Sequence, residues 1–374
     1  MKTLIKNGKV VDSNTLSITT GDVWIEDERI CEPAQVADEV IDANGLYVMP
    51  GLIDIHTHGQ VGVNFSRTED FGPALDACAN CGITTVIPTV AFRPMDEIKT
   101  AIDIILSQKV AGHRGASIRG IHFEGPFINQ KKKGAMTTPD MECTMENFDE
   151  ILDKAGKDIK VMTIAPEVDN AYEMIKKGSA LGIRMSIGHT DATYQQTLEA
   201  IDMGATGATH AFNAMRPYDH REPGVLGAIL TDPRVTCEVI CDMVHLAPTT
   251  VKLIYLCKGK DGMILVSDSG MITGLGDGDF MVDGNIRSVR NGVSRNKNGT
   301  IAGSCFTMAD GAKRLLELGF DICDIARFGA LNPAKAMGID NVVGSLEVGK
   351  DADIVICNDA FDVQHVFTKG RKHI

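Results

Sequence analysis

The chain has no surplus of basic residues. Its 37 lysines and arginines face 50 aspartates and glutamates, a formal net charge of −13. A nucleic-acid-binding face needs the opposite sign, so no polynucleotide partner is expected, although a local basic pocket for a small anion stays compatible with the total. The chain also lacks an apolar run of about 20 residues, the length that crosses a bilayer, so no membrane association is expected. Its opening, MKTLIKNGKVVD, has no apolar core of a secretory signal. No glycine-rich phosphate turn follows an early strand-like run, which argues against an open doubly wound sheet. Low-complexity tracts and short repeats are missing as well. The ten cysteines are scattered, as expected of reduced, mostly buried thiols in a cytoplasmic protein. Cys78 and Cys81 form a lone CxxC in a helix-like stretch; without a second pair it reads as packing.

What is present is an ordinary globular composition, 44% hydrophobic with a mean hydropathy of −0.01. The 374 residues suit one large α/β domain with a small satellite. Residues 1–50 read as short strands, with Asn7-Gly8 as a hairpin signal. The segment after about Gly344 has the same texture. Both ends are therefore expected to build one small β-sandwich domain, 1–50 plus 343–374, whose edge is sealed by pairing the two ends. Between them, in 51–342, apolar β-rich runs recur at 51–58, 83–90, 117–125, 161–167, 184–190, 205–214, 235–245 and 262–270. Helix-like segments such as 95–108, 171–182 and 192–204 separate most of them. Eight strands alternating with helices predict a (β/α)8 TIM barrel.

The ends of these runs carry the chemistry. The first ends in His56 and His58, the third in Glu124, the fifth in His189, the sixth in His210 and the eighth in Asp268. In a barrel the C-terminal strand ends open onto one mouth, so six metal-capable side chains from five strands converge there. Strand residues two apart share a face, which turns both imidazoles of the HxH inward. Each residue alone has an ordinary reading: a hydrogen-bonded core histidine, a paired glutamate, a turn aspartate. Jointly they resist it, because ionisable groups stranded at buried strand ends cost several kcal/mol without a partner. A divalent ion satisfies imidazole and carboxylate together; zinc fits best, with iron, manganese or cobalt as other candidates. An open position on such an ion holds a water, and a carboxylate beside it, Asp268, can take the water's proton and later release it.

With these residues the chain resembles the N-acetylglucosamine-6-phosphate deacetylases of the amidohydrolase superfamily, over essentially its whole length. The motifs are PGLIDIHTHG, HFEGPF at 122–127, SIGHTDA at 186–192, THAFNAM at 209–215, REPGVLGAIL at 221–230, CDMVH at 241–245, LVSDS at 265–269, IAGSCFTM at 301–308 and the exit GSLEVGKDADIV. The resemblance implies Glu124, His189 and His210 as the primary metal ligands and Asp268 as general base and then acid. It implies sugar contacts from Asn213 and Ala214, a phosphate site at Arg221 and His245 with Asp242 nearby, and a pocket wall of Ile301, Ala302 and Gly303. It also implies a homodimer in which the arginine crosses the subunit interface, and a phosphorylated amino sugar as the substrate.

Two departures stand out. Members of this family differ at HxH, and this chain keeps His56 and His58, so one or two ions per subunit are expected, the second bridged through Glu124. In the loop KKKGAMTTPD, Met136, next to Ala135, stands where many members place a histidine, and a thioether donates no hydrogen bond. A second ion polarising the carbonyl in place of that histidine would connect the two departures. Met136 leaves other amides open: N-acetylgalactosamine-6-phosphate, an unphosphorylated acetylated sugar, an N-acyl amino acid or a cyclic amide. A non-catalytic metal-binding barrel has no need of Asp268. A phosphotriesterase-like site would use a modified lysine where Glu124 stands.

Overall fold

The computed structural model describes residues 1–136, 142–282 and 284–374. Residues 137–140, the end of the KKKGAMTTPD loop, lie outside them.

The eight expected runs form a parallel barrel. Its strands are Leu52–Thr57, Ile83–Ala91, Ser117–Ile118 continued by Ile121–Glu124, Ile159–Ile164, Arg184–Ile187, Gly207–Ala208, Thr236–Ile240 and Met263–Val266. Each pairs in parallel with the next. The seam between the eighth and the first is closed by backbone bonds: the Asp268 N–H donates to the His56 carbonyl (2.9 Å) and the His58 N–H to the Ser269 carbonyl (2.8 Å). The catalytic candidates therefore sit on the closure itself. β-Branched and apolar residues dominate the strands, and their outer faces pack on the surrounding helices in one large core that includes Phe123, Ile164, Ile187, Val239 and Leu265.

The helices stand where the periodicity puts them: Met95–Ala111, Ala171–Ala180 and Tyr194–Asp202. The last follows the strand carrying His189 and starts at a capping box. The Thr193 hydroxyl accepts the Gln196 N–H (3.2 Å), and the Gln196 side chain accepts the Thr193 N–H (2.9 Å). Cys78 is buried in the helix Gly72–Asn80 and Cys81 caps it, and all ten cysteines are free. No helix among the described residues is long and apolar enough to cross a membrane.

The two chain ends join one eight-stranded sheet. Ile354–Cys357 lies antiparallel between Tyr47–Pro50 and Val363–Thr368. Ile5, Ile25, Val48, Ile356 and Phe367 pack on one another in its core. Asn7-Gly8 is not a hairpin turn. It is a bulge inside the long strand Lys2–Asp12, where Asn7 takes φ +60°. Before the bulge that strand pairs with Glu39–Asp42 and after it with Tyr47–Pro50, so the extra residue hands the strand from one partner to another. A second difference follows the eighth barrel strand. Gly278–Val282, Asn285–Arg290 and Val293–Asn296 form a three-stranded antiparallel sheet that the sequence reading did not assign. Its strands are mostly exposed or half-buried and rich in charge, so no apolar run announces them.

The barrel interior is partly polar. The Thr163 and Thr209 hydroxyls lie 2.8 Å apart, Thr209 donates to Ser186 (2.8 Å), and Thr163 lies 2.9 Å from His122 Nε2. Gly188 lets the fifth strand enter this layer: a Cβ there would lie 2.7 Å from Thr209 Cβ and 2.9 Å from Thr163 Cγ2. Gly188→Ala should therefore destabilise the fold by roughly 1–3 kcal/mol through overpacking, read as a lower urea midpoint at unchanged m-value.

Candidate metal centre and active site

The carboxylate of Glu124, at the end of the third strand and 4% exposed, organises the barrel mouth. Its Oε1 lies 3.0 Å from His189 Nε2, 3.0 Å from His210 Nε2 and 3.3 Å from His56 Nε2; its Oε2 lies 3.3 Å from His58 Nε2. Asp268 Oδ1 stands 3.4 Å from His58 Nε2 and 3.6 Å from His56 Nε2. All six strand-end candidates thus meet in one cluster.

The protonation pattern points to a cation. His189 Nδ1–H donates to the Lys132 carbonyl (2.8 Å), which can accept but not donate. His56 Nδ1–H likewise donates to the buried carboxylate of Glu238 (3.0 Å). Without a proton on Nε2 both rings would aim lone pairs at Glu124 Oε1, so positive charge is needed there, as a proton or as a metal ion. The Nε2 atoms of His189 and His210 are also 3.0 Å apart, and His56 Nε2 is a buried atom with no hydrogen-bond partner among the described residues. Electron pairs so crowded repel unless positive charge lies among them. Two ligand triples fit this description, Glu124 with His189 and His210, and Glu124 with His56 and His58. Imidazole with carboxylate is the donor set of zinc and its neighbours among divalent ions.

The backbone pays for this convergence. His189, His210 and Asp268 have φ of +49°, +29° and +49°, in or beside the left-handed region that costs an L-residue roughly 1–2 kcal/mol. Each lies where a strand turns sharply into its loop, which swings the side chain over the axis.

A further set of buried groups escaped the sequence reading. Glu238, on the seventh strand, holds His56 and lies 3.4 Å from the His210 N–H. Burial alone would raise its carboxyl, but the His56 bond and charge keep it below its ordinary value. His122 is pushed down to about 3 by burial, with the positive charge of His56 adding to the effect; it donates through Nδ1 to the Ile55 carbonyl (3.1 Å). Asp54 is raised to about 6 by burial, against the Ser267 hydroxyl that donates to it at 2.5 Å across the seam. Burial opposes ionisation of Asp268 too, yet the His58 bond and the charge of His56 hold it at about 2, so it is a carboxylate at neutral pH. A parity rule would have found Asp54 and His122. Each stands two residues before a ligand on the same strand, and so faces the same interior.

The cluster floors a cavity of about 580 Å3. His58, Glu124, His189, His210 and Asp268 line its base; Ala135, Met136, Asn213, Ala214, His245, Ile301, Ala302 and Gly303 line its sides. Three expected residues are placed differently. His56 lies beneath the floor, fully buried. Asp242 is buried behind the wall: its Oδ2 takes the His245 ring nitrogen at 2.7 Å and its Oδ1 the backbone N–H groups of Val244 and His245, so it braces His245 instead of lining the cavity. Arg221 is exposed on the loop before the helix Gly224–Thr231, away from this cavity. The walls also hold Arg93, Arg287 and Arg295; two of these come from the unassigned three-stranded sheet, which is why no sequence pattern placed them.

This geometry has counterparts. The amidohydrolase family profile matches residues 47–372. The N-acetylglucosamine-6-phosphate deacetylase of Bacillus subtilis (strain 168) is 35% identical, the match covering 98% of this chain and 96% of that one. The N-acetylgalactosamine-6-phosphate deacetylase of Escherichia coli O157:H7 is 30% identical over 95% and 97%. Among solved structures, a mutant N-acetyl-D-glucosamine-6-phosphate deacetylase of Mycobacterium smegmatis in complex with N-acetyl-D-glucosamine-6-phosphate is similar at TM-score 0.90, with 31% identity over 100% of this chain and 99% of that one. With a barrel, a ligand cluster and full-length relatives in agreement, this chain belongs to the amidohydrolase family and, within it, to the N-acetylglucosamine-6-phosphate deacetylases.

Proposed function

We propose that the protein hydrolyses the acetamide of N-acetylglucosamine-6-phosphate, giving glucosamine-6-phosphate and acetate. One observation carries the reading: Asp268, half-buried, stands at the barrel seam with Oδ1 3.4 Å from His58 Nε2 and 3.6 Å from His56 Nε2, beside the Glu124–histidine cluster at the base of a cavity wide enough for a hexosamine phosphate. A divalent ion held by Glu124, His189 and His210, most simply zinc, would supply a Lewis acid and lower the pKa of water. His56 and His58, with Glu124 shared, would hold a second. Asp268 accepts the proton of the attacking water and delivers it to the nitrogen as the C–N bond breaks. The Lys132 carbonyl and Glu238 fix the ring orientations of His189 and His56, so the cluster is preorganised. Asn213 supplies amide groups for sugar hydroxyls. His245, held by Asp242, offers its other ring nitrogen to the phosphate. Arg221 lies outside its own cavity and, in a homodimer, would reach the neighbouring subunit's phosphate site. We place the domain limits at 1–50 plus 343–374 and 51–342, and the protein in the cytoplasm.

Acetate release from phosphorylated and unphosphorylated N-acetylhexosamines of both the gluco and galacto series tests the assignment; the phosphorylated gluco substrate should be the best. Asp268→Asn should lower kcat by about 10²–10⁴-fold while the metal content per subunit stays unchanged. Arg221→Ala should raise KM for the phosphorylated sugar by about 10–100-fold, the loss of a charge-assisted bond, and leave the unphosphorylated sugar unaffected. Chelation should abolish turnover. Returning zinc at a thousandfold over its Kd should stabilise the fold by about 4 kcal/mol, read as a higher Tm, and His189→Ala should remove most of that gain.

A further inference from the structure

The turn that carries His189 is held from outside the cavity by a second carboxylate. Glu167 lies three residues past the fourth barrel strand, Ile159–Ile164, which runs between the strands ending in Glu124 and at His189. It is half-buried and does not line the cavity. Its Oε1 accepts the Asn129 side-chain N–H (2.8 Å) and the Asp191 backbone N–H (2.5 Å), and its Oε2 accepts the Thr190 hydroxyl (2.5 Å). A carboxylate only accepts, and all three partners donate.

Two routes run from this carboxylate to His189. The first is the turn itself. Thr190 and Asp191 follow His189 directly, and the φ of +49° at His189 is a conformation that persists only where the surroundings impose it. The second is the imidazole ring. The Asn129 N–H donates to the His189 carbonyl (3.0 Å). Asn129 also caps the short helix Gln130–Lys132: its Oδ1 accepts the Lys131 N–H (2.9 Å) and its carbonyl the Lys132 N–H (2.8 Å). The Lys132 carbonyl in turn accepts the His189 Nδ1–H. The Lys132 ammonium closes the circuit on Asp191 at 3.2 Å. Glu167 thus grips both the backbone on which His189 stands and the loop that orients its ring. His56 and His58 come from the first strand, which pairs with the second and, across the seam, meets the eighth; none of the bonds from Glu167 reaches them.

We propose that Glu167 is the positioning residue of His189. It fixes that imidazole as a ligand of the ion shared by Glu124, His189 and His210, and it has no hold on the triple of Glu124, His56 and His58. The proposal rests on the metal reading of the cluster.

Zinc affinity, read by competition with a chelating dye, tests this in two backgrounds. His58→Ala leaves the His189 triple intact, and His189→Ala leaves the His56 and His58 triple intact. In the first, Glu167→Met should weaken zinc binding by about 10–100-fold, the usual cost of losing an outer partner of a metal ligand. Glu167→Gln still offers an oxygen to the two N–H groups while its NH2 meets the Thr190 oxygen, so it should stay within about fivefold of the parent. In the second background both variants should shift the affinity by less than about twofold, as independent sites do. A Glu167 that merely supports the fold would loosen both triples alike. Where the second triple takes up no zinc, the recovery by Glu167→Gln in the first decides. Should Glu167→Met fail to fold, Thr190→Val, which removes the Oε2 bond, replaces it, with a loss of at least about threefold expected in the first background. Unchanged affinity in the first background, equal losses in both, or no recovery by Glu167→Gln overturns the positioning role and leaves the deacetylase reading standing. No zinc uptake by the unsubstituted protein overturns the metal reading and this proposal together.

Discussion

The site depends on one shared carboxylate. Glu124 lies within 3.3 Å of four imidazole nitrogens that arrive from three other strands. A single buried anion facing that many lone pairs is unfavourable in an empty, neutral cluster, and becomes favourable with a divalent cation among them. The same arrangement explains why the barrel interior is not a plain apolar core. The second ring nitrogens of His56 and His189 are held by Glu238 and the Lys132 carbonyl, and the Thr163–Thr209–Ser186 hydroxyls add a polar layer beside the cluster. Asp54 and Ser267 tie the first and eighth strands beneath it.

Holding these groups has a conformational cost, and the surrounding fold absorbs it. Three side chains of the candidate site stand on left-handed backbone, and well-anchored structure flanks them. The Thr190 N–H donates to the Ala214 carbonyl after His189, and the Asp268 carbonyl accepts from Ser304. The large apolar belt between strands and helices supplies the rigidity, so the strain is confined to the mouth where chemistry needs it.

Much of this was legible in the sequence because two periodicities carried it. Apolar runs ending in His, Glu or Asp gave the strands, their direction and the side chains that gather at the barrel mouth. Alternation with helical segments gave the barrel. The unread parts have physical reasons. Asn7-Gly8 has the composition of a turn, yet the strand continues because pairing on both sides outweighs the local preference. The Gly278–Asn296 sheet is too polar to show a strand pattern, and with it went Arg287 and Arg295. Glu238 stands inside an apolar run with no local motif to mark it; its role appears once the barrel brings it within 3.0 Å of His56, 182 residues away. Asp242, three residues before the cavity residue His245, points behind the wall because its carboxylate closes a local turn onto His245.

The sheet shared by the two ends has a consequence for biosynthesis. Tyr47–Pro50 leads directly into the first barrel strand, and its neighbour, Ile354–Cys357, is translated only after all eight barrel strands. While the ribosome is still working, that edge has no mate, and the strand beside His56 lacks its final support. A product of premature termination would present a bare apolar strand edge to other nascent chains, the kind of surface that chaperones and proteases recognise.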